Sequence, residues 1–266
     1  MKLAFSQRLL AGISVSLMLL SGAAQAEKNS ITIGVTGGPH AQIMEEVKKV
    51  AAKDGLEIKV IEFSDYVQPN VALASGDLDA NSYQHLPYLE VQVKDRGYKL
   101  SSIVPTVIYP MGLYSKKIDK LEDVKDSARV AIPNDPTNGG RALLLMETAG
   151  LLKLRDGAGL TATPLDIVEN PKKLDLAELD AAQLPRSLDD VDLAAVNTNF
   201  AMEAGLVPKD DALLLESPDS PYANIIVVRT EDKDQEWVKR LVKAYHSDDV
   251  KQYIEEQFKG SIVTAW

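Results

Sequence analysis

From residue 31 onward the chain alternates, twice over, between short apolar strands closed by glycine or proline and helices with one apolar face, and this rhythm decides the fold class. Ile31 to Val35 alternates as a strand and runs into Thr36-Gly37-Gly38-Pro39-His40. Ile43, Met44, Val47 and Val50 then recur at helical spacing up to Gly55. Leu56 to Phe63 is a second strand. The stretch Phe63 to Glu90, FSDYVQPNVALASGDLDANSYQHLPYLE, predicts a helix of about three turns capped by Asp65, with Pro69 in its first turn and Gly76 at its end. A short strand from Leu78 follows and delivers Tyr83, Gln84, His85 and Tyr88 together, before Pro87 opens a helix closed by Gly97. Strands alternating with helices build a mainly parallel sheet covered on both faces, an α/β fold.

Ser101 to Ser115, SSIVPTVIYPMGLYS, is extended and apolar but carries Pro105 and Pro110, which suits a sheet edge or a crossing between domains. The rhythm then restarts: a short helix near Leu121 to Val124, a strand Arg129 to Ile132, a loop, and a helix from Arg141 to Thr148 that stops at Gly150. Strands are expected near Leu165 to Val168, at Leu174 to Leu179, Leu193 to Val196 and Ala212 to Glu216, with a short helix after Ser187. A second extended run, SPYANIIVVR at Ser220 to Arg229, precedes two amphipathic helices, Gln235 to Tyr245 and Asp248 to Phe258. Two extended runs read as two crossings, so the expected lobes are residues 27–108 with 226–266, and residues 109–225. The cleft between them falls at strand ends, where open α/β sheets bind ligands.

Lys2 and Arg8 precede an apolar run from Leu9 to Leu20 and the small-residue site Ala24-Gln25-Ala26, so residues 1–26 read as a secretory leader cut after Ala26. The run is shorter than a membrane span and contains Gly12, Ser14 and Ser16. The full chain carries a net charge of −10, and loss of Lys2 and Arg8 makes it more acidic still, which argues against nucleic acid and anionic lipid as partners. Cys is absent, which excludes disulfides, thiolate metal sites, cysteine nucleophiles and a lipid on an N-terminal cysteine. The three histidines, His40, His85 and His246, lack ligand spacing, so neither a metal nor a cofactor is expected.

Four clusters carry candidate chemistry. Asn134-Asp135-Pro136-Thr137-Asn138-Gly139-Gly140-Arg141 reads as a turn opening a helix with an arginine at its start, where a cation opposes the helix dipole. Either an external carboxylate or a nearby acid such as Asp135 explains it. Asn197-Thr198-Asn199 follows a strand and Tyr222-Ala223-Asn224 lies in the second crossing; both suit an amide-lined pocket, though asparagine at strand ends is also an ordinary turn former. Gly37-Gly38 suits a plain turn or an anion-binding loop equally. A catalytic His85 would need an orienting acid and a nucleophile; Asp79 and Ser82 are near in sequence, but no nucleophile turn frames the serine, and a hydrogen-bonding role is the simpler one. The pair Asp77 and Asp79 is explained by capping and solvation.

DYVQPN at Asp65 to Asn70, GDLDAN at Gly76 to Asn81, QHLPYL at Gln84 to Leu89 and PNDPTNGGR at Pro133 to Arg141, together with VENPKKL, QLPRSLDD, NTNFA and SPYAN, resemble the NlpA/MetQ family of methionine-binding components of ABC importers. The resemblance covers nearly the whole chain beyond the leader. It implies a two-lobed periplasmic-binding-protein fold of type II, without enzymatic activity, that closes on methionine, the L-form with the D-form as a further candidate, and delivers it to an ABC permease and its ATPase. Carried onto this chain, it implies that Arg141 clamps the carboxylate, Asn197 and Asn224 hold the head group, and Tyr66, Tyr83, His85 and Tyr88 wall the side chain. A thioether does prefer polarizable aromatic edges. Members of the family are typically anchored through a cysteine that this chain lacks, so the expectation is a soluble periplasmic protein of a Gram-negative host. Tyr83 stands where the family's motif has phenylalanine and adds a hydroxyl to the expected wall; with the pair Gly139-Gly140 it bears on the choice of ligand. The alternatives are another apolar amino acid or a short methionine-containing peptide and, from other classes, an exported hydrolase using His85 or a surface interaction protein. The last would need exposed apolar stripes wider than these helices carry.

Overall fold

The computed structural model describes residues 28–266, so the expected leader, residues 1–26, lies outside the described residues. Among the described residues two five-stranded sheets form the centres of two lobes. The first has the order Glu57–Phe63, Ser30–Thr36, Ala80–His85, Asn224–Arg229, Leu100–Pro105. Ser30–Thr36 runs parallel to both its neighbours, whereas Asn224–Arg229 returns from the far lobe to lie antiparallel between Ala80–His85 and Leu100–Pro105. Its register sets Asn224 opposite His85.

The second sheet has the order Asp175–Leu179, Arg129–Pro133, Leu193–Val196, Gly112–Tyr114, Leu214–Leu215, parallel in its first three strands and antiparallel beyond. Each sheet is buried on both faces. Ile31, Ile33 and Val35 pack under the helices Pro39–Lys53, Glu236–Tyr245 and Asp248–Phe258, while Leu73, Leu78 and Leu89 cover the opposite side. Strands covered twice become near-continuous apolar runs, as IIVV at 225–228 is. This is the two-lobed α/β arrangement of type II expected from the resemblance.

The chain passes between sheets at both extended runs. Leu100–Pro105 ends at the edge of the first sheet, Val107–Ile108 pairs with Val263–Thr264, and Gly112–Tyr114 enters the second sheet. The return lies between Leu215 and Asn224. Local signals hold well at several ends. Gly76 and Gly97 close their helices in the left-handed conformation, and Asp65 Oδ1 accepts from the N–H groups of Val67 and Gln68, though the helix it steadies, Gln68–Ser75, is about one turn shorter than expected.

Two expectations fail locally. The helix placed after Ser187 is Leu184–Ser187 and ends there, because Pro185 suits the first turn and the Ser187 hydroxyl donates back to the Leu184 carbonyl. The helix placed from Arg141 begins five residues earlier and runs Pro136–Thr148, with Asp135 as its cap and Pro136 in its first turn.

Candidate ligand-binding site

The lobes meet around a small cavity whose lining side chains are buried, apart from the half-buried Tyr66. Its first-lobe wall grows from the stretch that ends Ala80–His85. Tyr66 comes from the loop before the helix Gln68–Ser75, Tyr83 and His85 from the strand end, and Tyr88 from the first turn of Leu86–Arg96. The second lobe brings Arg141 from the second turn of Pro136–Thr148 and Asn197 from the cap of Thr198–Glu203; Asn224 stands at the start of the returning strand. All seven residues expected at the site thus line one cavity.

The wall is rigid through its own hydroxyls. Tyr83 and Tyr88 both donate to the Tyr66 carbonyl at 2.9 Å, and the Tyr66 hydroxyl donates across the lobes to Asn199 Oδ1 at 2.5 Å. The hydroxyl of Tyr83 therefore stiffens the loop and is not turned to a ligand. Phe200 packs on Tyr66 with ring centroids 4.9 Å apart. Burial raises the Tyr66 and Tyr83 phenols well above their ordinary value, so both stay neutral.

His85 is held at both nitrogens. Its Nδ1 accepts the Tyr88 N–H at 3.1 Å, so Nε2 carries the proton and donates to Asn138 Oδ1 at 3.2 Å. Burial, reinforced by the Arg141 charge, lowers its pKa to about 3. His40, which also lines the cavity, is lowered to about 4 by burial and sits between Thr36 Oγ1 at 2.8 Å and Asn224 Oδ1 at 3.2 Å. Both imidazoles are neutral near pH 7. Asp79, the acid near His85 in sequence, instead bonds Lys28, the Thr32 N–H and Arg229, so it does not orient the imidazole.

Arg141 departs from the sequence argument. It lies inside its helix, so its charge does not oppose a bare N-terminus, and Asp135 is not its partner. It forms a buried pair with Glu216: Nε donates to Oε1 at 2.9 Å and Nη2 to Oε2, while Nη2 also donates to the Tyr109 carbonyl at 2.8 Å. Its guanidinium carbon lies 4.3 Å from the centre of the Tyr222 ring. Nη1 takes part in none of the described hydrogen bonds. The pair Gly139-Gly140 faces away from the cavity: a Cβ at Gly139 would stand 2.9 Å from the Pro133 carbonyl oxygen, and one at Gly140 2.5 Å from that of Leu160. These glycines serve packing.

His40, Gln84, Tyr109, Asn138, Thr198 and Asn199 also line the cavity, beyond the seven residues expected there. Asn138 and Asn199 lay inside clusters already singled out, and Gln84 beside His85; Tyr109 had no local signal, being one apolar residue of an extended run. Asn197 Oδ1, Asn199 Nδ2 and the Tyr109 hydroxyl are buried without partners, one acceptor, one donor and one group able to do either. Gly37 and Gly38 approach the helix Thr198–Glu203 at Glu203 and Asn199, so this loop is a turn of the first lobe that abuts the second. Among the described residues no group of His, Asp or Glu is placed to hold a metal, and no helix is long and apolar enough to cross a membrane.

The geometry has close counterparts. A nutrient binding protein from Burkholderia cenocepacia, solved bound to methionine, superposes with a TM-score of 0.87 at 59% identity, covering 89% of this chain and 100% of that one. The crystal structure of the methionine binding protein MetQ gives 0.88 at 50% identity, covering 90% and 99%. The D-methionine-binding lipoprotein MetQ of Salmonella typhimurium is 51% identical over 260 residues, 96% of each chain. A family model described as NlpA lipoprotein matches residues 31–266, and the chain belongs to the NlpA lipoprotein family.

Proposed function

We propose that the protein is a non-catalytic solute-binding component that captures free methionine, as the L- and the D-form, and hands it to an ABC permease and its ATPase. The observation that carries this reading is the likeness over nearly the whole described chain to a binding protein solved with methionine. The cavity chemistry supports it: neutral aromatic walls suit a thioether, and an arginine edge beside unpartnered amide groups suits a zwitterion. Arg141 Nη1 and Asn199 Nδ2 would take the carboxylate, Asn197 and Asn224 the head group, and Tyr66, Tyr83, His85 and Tyr88 the side chain. The closing bodies would be residues 27–108 with 226–266, and residues 109–225. The small cavity favours a free amino acid over a peptide.

We further infer a soluble periplasmic protein once residues 1–26 are removed, since the chain has no cysteine to carry a lipid, although its relatives are named lipoproteins. Osmotic shock should release it; retention with the membrane fraction would overturn that part. Ligand specificity is tested by denaturing the purified protein, identifying what is released by mass spectrometry, and titrating the refolded protein with methionine. Released methionine with tight rebinding is the expected result. Another released amino acid or a peptide would move the specificity, and turnover of any amino-acid derivative would overturn the non-catalytic role.

A further inference from the structure

We infer that Asp135, which does not line the cavity, sets the donor and acceptor polarity of the site by orienting Asn138 and, through it, Asn197. A carboxylate only accepts. Asp135 Oδ1 takes the Asn138 N–H at 2.9 Å and the Thr137 hydroxyl at 3.0 Å, and its Oδ2 takes Asn138 Nδ2 at 2.9 Å. The nitrogen end of the Asn138 amide is thereby committed, and its oxygen faces the site.

That oxygen accepts from Asn197 Nδ2 at 2.9 Å and from His85 Nε2 at 3.2 Å. The His85 proton is fixed independently, because Nδ1 is occupied by the Tyr88 N–H. With its nitrogen turned to Asn138, Asn197 is left with Oδ1 as a buried acceptor without a partner, in a residue that lines the cavity. An acceptor at that place matches an ammonium group and mismatches any ligand that lacks a donor there. Asp135 is a positioning residue: it acts at one remove, through amides whose two ends have nearly the same shape and opposite hydrogen-bonding character. The chain of three groups, Asp135, Asn138 and Asn197, also explains why a carboxylate caps this helix when serine or asparagine would cap it equally well.

The inference rests on the amino-acid reading above. Its test compares methionine with 4-(methylthio)butanoate, which is methionine without the amino group, in calorimetric competition on the native protein and on Asp135→Asn. The new amide keeps the helix cap, so the melting temperature should stay within a few degrees. It can present N–H to Asn138, which releases the nitrogen end of that amide; Asn138 and then Asn197 turn over at the cost of the longer His85 contact, and the ligand ammonium meets a donor. Affinity for methionine should fall between about tenfold and a hundredfold, and affinity for the des-amino compound by less than about threefold.

The double variant Asp135→Asn with Asn138→Asp supplies an acceptor-only group at position 138 again and should restore much of the preference for methionine. An unchanged preference in Asp135→Asn, an equal loss for both compounds, or no recovery in the double variant would each overturn the relay. Native protein that binds neither compound would overturn the amino-acid reading itself, and the ammonium role with it.

Discussion

Arg141 carries a charge that the fold has already matched, and this changes what its removal does. Its side chain is 2% exposed and that of Glu216 is 12% exposed, so each is the other's main compensation for leaving water. Arg141→Ala should therefore cost about 2–4 kcal/mol of stability besides the affinity for methionine, because it leaves a largely buried carboxylate with the Met111 N–H alone. Arg141→Met combined with Glu216→Leu removes both charges; it should regain most of the stability and none of the affinity. Chemical denaturation and calorimetry on native, single and double variants separate the two effects. A single variant as stable as the native protein would show that Glu216 is not dependent on its partner. The sequence marked Arg141 as an arginine in want of an anion, and that much was legible. Glu216 was not, since 75 residues separate the pair and neither side of the contact has a local pattern.

At the scale of elements, glycine and proline punctuation made most strands and helices legible, and the same punctuation hid the true start of Pro136–Thr148. Asp135 followed by Pro136 is a proper helix opening, but Gly139-Gly140 four residues on reads as more loop, since glycine in a helix interior costs about 1 kcal/mol relative to alanine. What repays that cost is close approach between helix and neighbouring backbone. A Cβ at Gly140 would stand 2.5 Å from the Leu160 carbonyl oxygen and 2.8 Å from the Ala162 nitrogen, atoms that belong to main chain and have no rotamer by which to withdraw. The two effects of Gly140→Ala oppose each other, and the steric one is larger. The variant should lose about 1–3 kcal/mol despite its better helix propensity. Thermal melting of Gly140→Ala decides the sign, and a raised midpoint would mean that the turn at Gly159–Thr161 moves aside freely. Because the clash is on the far side of the helix from the cavity, stability should fall more than methionine affinity.

The lobes are joined around the cavity by contacts that no local reading reaches: Tyr66 with Asn199, 133 residues apart, and His85 with Asn138, 53 apart. The two crossings were legible because proline interrupts the first extended run and a turn precedes the second; the side chains that meet once the lobes are assembled were not. Folding buries both histidines, His40 against Thr36 and Asn224 of the first sheet and His85 against Asn138 of the second lobe, and this gives the whole molecule a pH dependence. Both have folded-state pKa values below the ordinary 6.5, about 4 for His40 and about 3 for His85, with burial as the main cause in each. The unfolded chain takes up protons that the folded one refuses. Their contribution is therefore complete above about pH 6.5 and is lost as pH falls toward 4 and then 3. Each group adds a slope of up to about 1.4 kcal/mol per pH unit in that window. Asp135 acts in the opposite sense, because burial raises its carboxyl above the ordinary 3.8 and its protonation favours the folded state at the acid end. Near pH 5 to 6 the histidines dominate. Denaturation midpoints should fall between pH 7 and 5, and methionine affinity should weaken over the same range, since both imidazoles line the cavity in their neutral form. His40→Gln keeps a polar side chain beside Asn224 and removes one of the two titrating groups, so it should roughly halve the slope. A native stability curve flat from pH 7 to 5 would mean that His40 and His85 reach water in the folded chain.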